Sequence, residues 1–206
     1  YSYDYADRLQ TTTHCLNNGP VMTLVNNEYD ELGRLKHNRR NGQSNLHTNY
    51  AYNLRSWTES ISSPLFCETL YYNDTRSNPT NTRYYNGNIS GMDWGVNGDK
   101  KRGYDFSYDN LSRLLYADYL ENNIRNHNFN TSYNYAKQGN IVSLMRSGNQ
   151  NTTYGIIDNL ALNYRGNQLI KVEDTASDSN LSVSSMDFRN GAKQDVEYFY
   201  DENGNL

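Results

Sequence analysis

Aliphatic residues are scarce. Leu, Ile, Val and Phe together make up about 18% of the chain, a level at which an ordinary sequence is expected to stay disordered. Charge of one sign is scarce too. The net charge is −4 over 206 residues, so self-repulsion does not hold the chain open, and the mild acidity points away from a nucleic-acid partner. The one dense basic stretch, Lys36 to Arg40, runs into Asn41-Gly42 and is expected to be a solvated hairpin tip rather than an anion contact. No apolar run approaches the ~20 residues of a membrane span. Cys15 and Cys67 are too few for a disulfide framework. Two buried free thiols are expected, with a single disulfide as the alternative in an exported protein. The three prolines, Pro20, Pro64 and Pro79, each fall in a stretch that reads as loop. No segment carries a convincing helical stripe, and Asp118 to Arg125 comes nearest to one.

Chemistry-bearing patterns are equally thin. None of the four histidines, His14, His37, His47 and His127, stands at a metal-ligand spacing from another or from a cysteine. Each reads as a surface or strand residue. No nucleophile elbow occurs. Calcium is the best metal candidate, through Asp174, Asp178 and Asn180 or through Asp201, Asn203 and Gly204, yet neither set has the closing bidentate Glu. Six Asn-x-Ser/Thr sequons, at Asn73, Asn88, Asn110, Asn130, Asn151 and Asn180, are expected by chance in so Asn-rich a chain. The residues therefore assign no catalytic group, no metal ligand and no cofactor, and an enzyme is the least supported function class.

What the chain has in excess is tyrosine, 20 residues of it. A tyrosine buries a large ring while its hydroxyl stays wet or finds a partner, and it favours strands. Tyr-rich strands can thus build a core that a hydropathy scale records as polar. The tyrosines recur in a pattern: aromatic, any residue, Tyr, Asp or Asn, turn residues that usually include Gly, Arg or Asn, then an apolar residue. About eight copies occur, spaced roughly 22–37 residues apart, near the range of supersecondary repeats. The residues that carry it are Tyr3, Asp4 and Leu9, then Tyr29, Asp30, Gly33, Arg34 and Leu35, then Tyr52, Asn53 and Trp57. It returns at Tyr85, Asn86, Gly87 and Ile89, at Tyr108, Asp109, Arg113 and Leu114, and at Tyr135, Gly139, Asn140 and Ile141. Tyr164, Gly166 and Leu169, then Tyr200, Asp201, Gly204 and Leu206, complete the series.

Each copy reads as a β-hairpin. The rings alternate with period two. Asp30, Asn86, Asp109 and Asp201 open the turn with a side-chain acceptor for the backbone ahead. Gly33, Gly139 and Gly204 suit a position with positive φ. Leu160 to Tyr164, Gln168 to Glu173 and Phe66 to Tyr72 read as further strands. Asn-Gly pairs at Asn18-Gly19, Asn41-Gly42, Asn97-Gly98 and Asn190-Gly191 mark further tight turns.

The stretches YDELGRL (Tyr29 to Leu35), YNGNISGMDW (Tyr85 to Trp94), RGYDFSYDNLSRLLYADY (Arg102 to Tyr119) and LNYRGNQLIKVED (Leu162 to Asp174) resemble the divergent YD, or RHS, repeats of Bacteroides-type RHS proteins. The resemblance covers essentially the whole chain. It implies an all-β fold in which successive hairpins pair side by side into one continuous antiparallel sheet, curved or coiled as a shell or solenoid segment. Residues 1–206 would then be a single array, truncated at both ends, since Tyr1-Ser2-Tyr3-Asp4 already reads as the interior of a repeat. Such an end is expected to pair with strands of another copy or to be covered by a rearranged terminus. The resemblance further implies a bacterial protein, secreted or on the cell surface, whose repeats scaffold or enclose a C-terminal toxin or effector domain of the same polypeptide. The alternative is a cell-surface adhesin that stacks glycans on exposed rings such as Trp57 and Trp94. Asp7, Ser56 and Ser112 stand where the family usually has Gly, which puts those three turns in doubt. The family's self-cleaving Asp-Pro motif has no counterpart, and an inserted loop is expected around Asp174 to Ser185.

Overall fold

Alternating rings and polar residues leave the chain one way to bury surface, as strands that each need a neighbour. The computed structural model, which describes residues 1–96, 102–176 and 187–206, is all-β. Asn97-Gly98, Asp178, Asn180 and most of the loop expected before Ser185 lie outside the described residues. The strands are β1 (Ser2–Tyr3), β2 (Leu9–His14), β3 (Met22–Tyr29), β4 (Leu35–Arg40), β5 (His47–Tyr52), β6 (Thr58–Ser62), β7 (Phe66–Tyr71) and β8 (Gly91–Val96). They continue as β9 (Arg102–Tyr108), β10 (Leu114–Glu121), β11 (Ile124–Arg125), β12 (Thr131–Tyr135), β13 (Ile141–Gln150), β14 (Thr153–Arg165) and β15 (Gln168–Asp174). A single 3-10 turn, Ser44–Leu46, precedes β5.

The chain forms two compact units, Tyr1–Gly103 with Glu121–Asn123, and Tyr104–Leu120 with Ile124–Leu206. Within each unit, strand neighbours follow chain order. In the first, β1 to β8 pair antiparallel in succession. In the second, β10 pairs β12, followed by β13, β14 and β15, again antiparallel. The register carries the repeat. Tyr3, Tyr29, Tyr52 and Tyr135 each face the residue that reopens the strand after the turn, Tyr164 faces the second residue of its returning strand, and at each the register slips. A bulge there bends the strand and redirects the ring.

Among the described residues, few apolar side chains are buried. Cys67 and Tyr72 are in the first unit, and Ala117, Tyr119, Leu120, Ile157 and Val172 in the second. Contacts between rings, from buried to partly exposed, do the remaining packing. In the second unit Tyr104, Tyr119, Phe129 and Tyr154 form a chain of edge-on contacts at 5.4, 5.1 and 5.3 Å, the geometry that ring quadrupoles favour.

Several expectations are corrected. Lys36 to Arg40 is not a hairpin tip but most of β4; the tip is Asn41-Gly42, with φ of 49° and 62°. Asp118 to Arg125, the stretch nearest to a helical stripe but not expected as a helix, is strand and turn. Cys15 is exposed, because it lies past the end of β2 in the loop to β3; Cys67 is buried, and both thiols are free. In that loop the left-handed residues are Asn17 and Asn18, not Gly19, and Asn190-Gly191 has no left-handed residue while Lys193 does. The copies at Tyr84 to Ile89 and Tyr198 to Leu206 form turns without flanking strands. At the first, the buried polar side chains Arg76, Asn81 and Ser90 organise the preceding chain as a loop. At the second, among the described residues, the bonds along β15 come from Glu197 and Tyr198. Their N–H groups share the Ile170 carbonyl at 2.7 and 3.3 Å, and the Glu197 carboxylate accepts from Val172 N–H.

Candidate functional site

The repeated turn is one five-residue device. In the copies beginning at Asp4, Asp30, Asn53, Asp109 and Asp201, the first residue's Oδ1 accepts the backbone N–H groups two and four residues ahead, at 2.8–3.0 Å. Its own N–H donates to the carbonyl of the fifth residue, and the fourth residue's N–H donates back to its carbonyl. The fourth residue is left-handed in all five, and also at Gly139 in the copy that starts with Ala136. Its φ is 57° at Asp7, 80° at Gly33, 62° at Ser56, 61° at Ser112, 98° at Gly139 and 81° at Gly204. The turns at Asp7, Ser56 and Ser112 are thus the same turn as the glycine ones. The hydrogen bonds around them hold a conformation that a β-carbon disfavours.

Where the fifth residue is arginine, its Nε donates to Oδ2 of the first, as Arg8 to Asp4, Arg34 to Asp30 and Arg113 to Asp109, at 2.6–2.7 Å. These bonds hold the carboxylates below their ordinary range. The Arg8 side chain is the largest influence on Asp4. For Asp109 the Arg113 backbone N–H comes first. For Asp30, burial pulls upward and the bonds from Arg34 outweigh it. Asp201 is lowered first by the Asn205 side chain.

The same arginines reach the next copy. The guanidinium of Arg8 lies 4.7 Å from the centre of the Tyr29 ring, Arg34 lies 4.7 Å from Tyr52, and Arg113 lies 4.7 Å from Tyr135, each within cation–π range. The tyrosine hydroxyl then donates to the carbonyl just after the arginine. Tyr29 donates to Leu9, Tyr52 to Leu35 and Tyr135 to Leu114, at 2.7–3.0 Å. Two further copies keep the hydroxyl bond without the arginine, Tyr72 to Thr58 and Tyr164 to Ile141. In the first of these the Trp57 ring takes the place of the guanidinium and lies against Tyr72 at 5.0 Å, tilted by 38°. Arg34 and Arg113 also donate to carbonyls of the next turn, at Asn53 and Ala136. Three copies are therefore clasped to the one before by turn, guanidinium, ring and hydroxyl, and two more by the hydroxyl alone.

Burial raises the pKa of Tyr52, Tyr72, Tyr135 and Tyr164, which keeps those hydroxyls protonated as donors. Tyr52→Phe is expected to cost about 1 kcal/mol, the worth of one hydrogen bond, in urea unfolding of the purified protein. A cost below a few tenths would place the clasp's strength elsewhere.

Gly33 has a second constraint beyond its φ. A β-carbon there would sit 2.9 Å from Arg8 Nη1, whereas at Gly139 it would meet open space. Gly33→Val is expected to lower stability by about 1–3 kcal/mol, and Gly139→Ala by less. Equal melting temperatures for parent and Gly33→Val would contradict this.

The depressed carboxylates also set an acid limit. A carboxylate whose folded pKa lies below its unfolded one adds stability above the unfolded value, roughly pH 4, and that stability is lost as pH falls through the folded value. Urea midpoints are expected to hold from pH 7 to about 5 and to fall below about 4. Asp4→Asn with Asp30→Asn should flatten that decline, and an unchanged slope would refute the assignment.

Some expected residues lie elsewhere. Trp57 is half-buried beneath Tyr72 and Arg55, the latter 5.1 Å over its ring, with Gly87 against its edge. Trp94 is half-buried on β8 opposite Glu68. The Asp201 carboxylate is occupied by Asn203 and Asn205 N–H groups and the Asn205 amide. Among the described residues no three His, Cys, Asp or Glu side chains converge to hold a metal ion. An open cleft of about 550 Å³ runs between the turn tips and is lined by Leu32, Arg34, Tyr52, Leu54, Arg55 and Asp74, among others.

The spacing of the motif did not reveal two buried charge clusters. Arg76 is 5% exposed and pairs with Asp93 at 2.7 Å, while Tyr71 donates to Asp93 at 2.9 Å. Burial, and then the Asp93 bond, push the Tyr71 hydroxyl up to about 12. In the second unit Asp158, wholly buried, pairs with Arg146 at 2.5 Å. Neither cluster has a motif: Arg146 and Asp158 face each other on paired strands, whereas Arg76 reaches Asp93 of β8 from the loop that follows β7.

No protein family matches the chain, and no curated protein matches it by sequence. Among solved structures, it is similar to the crystal structure of TcdB2-TccC3 without the hypervariable C-terminal region, with a TM-score of 0.58 and 13% identity over 84% of this chain. It is similar as well to the Tc holotoxin pore of Photorhabdus luminescens in a TccC3 mutant, with a TM-score of 0.58 and 14% identity over 84% of this chain. The matched part is 9% of the length of each of those chains. At such identity the likeness is one of fold.

Proposed function

We propose that this chain is a non-catalytic scaffold segment of YD/RHS type, in which clasped hairpins form the wall of a shell that carries or encloses another part of the same polypeptide, a toxin or effector domain. The observation that carries this reading is the clasp. Its side chains spend their polar groups on the next copy, so the repeat's chemistry builds wall and leaves no convergent acid, base or nucleophile in the turn. The fold likeness to TcdB2-TccC3, a protein described with a hypervariable C-terminal region, supports the same reading. A bacterial source and export to the surface or medium go with it.

The coding frame on both sides of these 206 residues tests the proposal. Further copies with Asp or Asn first, a left-handed fourth residue and a Tyr about 20 residues on are expected, followed downstream by a sequence without the repeat. Electron microscopy of that whole protein should show the repeats as a wall around density for the downstream part. A frame with no further copy on either side, or a wall enclosing nothing, would sink the scaffold reading. The adhesin alternative would place sugars in the 550 Å³ cleft at Tyr52. It predicts glycan-array binding that Tyr52→Ala abolishes and Tyr154→Ala does not.

A further inference from the structure

His37 and His47 are ten residues apart in sequence, with no ligand spacing between them, yet the pairing of β4 with β5 brings them together. Arg39 faces His47 and His37 faces Asn49, so the two histidines are diagonal neighbours on one face of the sheet. Their ring centres are 5.2 Å apart, with the planes at 65°. Both are half-buried, and they line a cavity of about 260 Å³ with Asn26, Glu28 and Arg39.

We propose that His37 and His47 chelate a borderline divalent transition metal of the zinc, copper(II) or nickel class, with Glu28 as the carboxylate at hand to join them. Three observations converge on it. The first is the ring separation. Two imidazoles bound to one tetrahedral zinc at about 2.0–2.1 Å place their ring centres roughly 5 Å apart, so the pair is already near a shared-metal spacing. The second is the tautomer. Asn49 Oδ1 lies 2.5 Å from His37 Nδ1 and can only accept, so the proton sits on Nδ1 and the Nε2 lone pair is left for a metal. A ligating histidine is commonly held in this way by an outer acceptor. The third is Glu28, directly across from His37 on β3. Its ion pair to Lys36 at 3.3 Å is on the surface, and exposed pairs of that kind are weak; the carboxylate does not converge on the two rings as it stands and would join them only by turning inward. Imidazole nitrogen selects this metal class over calcium and magnesium, which take oxygen.

Arg39 shares the cavity and opposes a cation there, which gives the test its sign. The protein, purified without a histidine tag, is titrated with zinc and nickel chloride at neutral pH, with calcium and magnesium chloride alongside. Binding is read by calorimetry and by the histidine ring resonances in NMR. One ion per chain is expected, with His37 and His47 resonances perturbed and no binding of calcium or magnesium. H37Q and H47Q should each weaken binding tenfold or more, while their metal-free melting temperatures and circular dichroism confirm that they fold. Arg39→Ala should tighten binding, whereas an anion site would lose its ligand. Absence of binding, binding that survives either histidine variant, or binding that Arg39→Ala weakens would overturn the site.

Discussion

Arg76→Ala is expected to destabilise the first unit by about 3–5 kcal/mol, because it leaves a largely buried carboxylate without its cation. The guanidinium of Arg76 meets Asp93 through Nη2 at 2.7 Å and through Nε at 3.0 and 3.1 Å. It also donates to the Met92 carbonyl at 3.2 Å and lies 5.1 Å over the Tyr71 ring. Its backbone N–H is held by Asn81 at 2.6 Å, and Asn81 in turn bonds the wholly buried Ser90. The strandless stretch between β7 and β8 is folded around this one side chain. Removal leaves Asp93 with the Tyr71 hydroxyl as its remaining strong partner. The pair need not stabilise relative to a well-packed apolar one. Arg76→Met with Asp93→Leu should therefore recover most of what Arg76→Ala loses. Urea unfolding of the two variants checks both statements. A single variant within about 1 kcal/mol of the parent would mean that water reaches Asp93 and the cluster is not sealed.

The same region shows where reading the sequence stops. The turn at Asn86 is chemically right, with Asn88 N–H bonded to the Asn86 side chain and Gly87 at φ 99°. Its flanks are nevertheless not strands, because Arg76 and Asn81 claim the backbone and side-chain partners nearby. Turn chemistry is local, spanning five residues, and so was legible at Asp30, Asp109 and Asp201. The left-handed Ser56 and Ser112 were not, since their strain is carried by hydrogen bonds from Asn53 and Asp109 rather than by the residue itself. The clasp was half legible. Arginine in the motif was visible, but its ring partner is about 20 residues on, at Tyr29, Tyr52 or Tyr135, and only strand register sets that distance. Register likewise joins His37 to His47 and Arg146 to Asp158, pairs that no spacing rule connects.

Arg146 and Asp158 carry the other large effect, and here the two partners differ. They face each other on β13 and β14, just before the register slips. Asp158 is 0% exposed, whereas the Arg146 side chain is 37% exposed. Arg146 donates through Nε and Nη2 to Oδ2, each at 2.5 Å, and Phe188 N–H donates to Oδ1 at 2.5 Å. Arg146→Ala leaves a buried carboxylate with one backbone donor, and is expected to cost about 3–5 kcal/mol. Asp158→Asn removes the charge and leaves a guanidinium that can turn to water, while the amide oxygen still accepts from Phe188. That change should cost less, on the order of 1–2 kcal/mol. Asp158→Ala adds the loss of the Phe188 anchor. Residues 187–206 are otherwise tied to β15 through Glu197 and Tyr198 at Ile170 and Val172, so amide exchange at Phe188 should accelerate in Asp158→Ala and not in Asp158→Asn. Urea unfolding ranks the three variants, and hydrogen exchange locates the change. If Asp158→Asn proves costlier than Arg146→Ala, burial of the carboxylate is not what sets the energetics of this pair. The stabilising element would then be the direct charge pairing with Arg146.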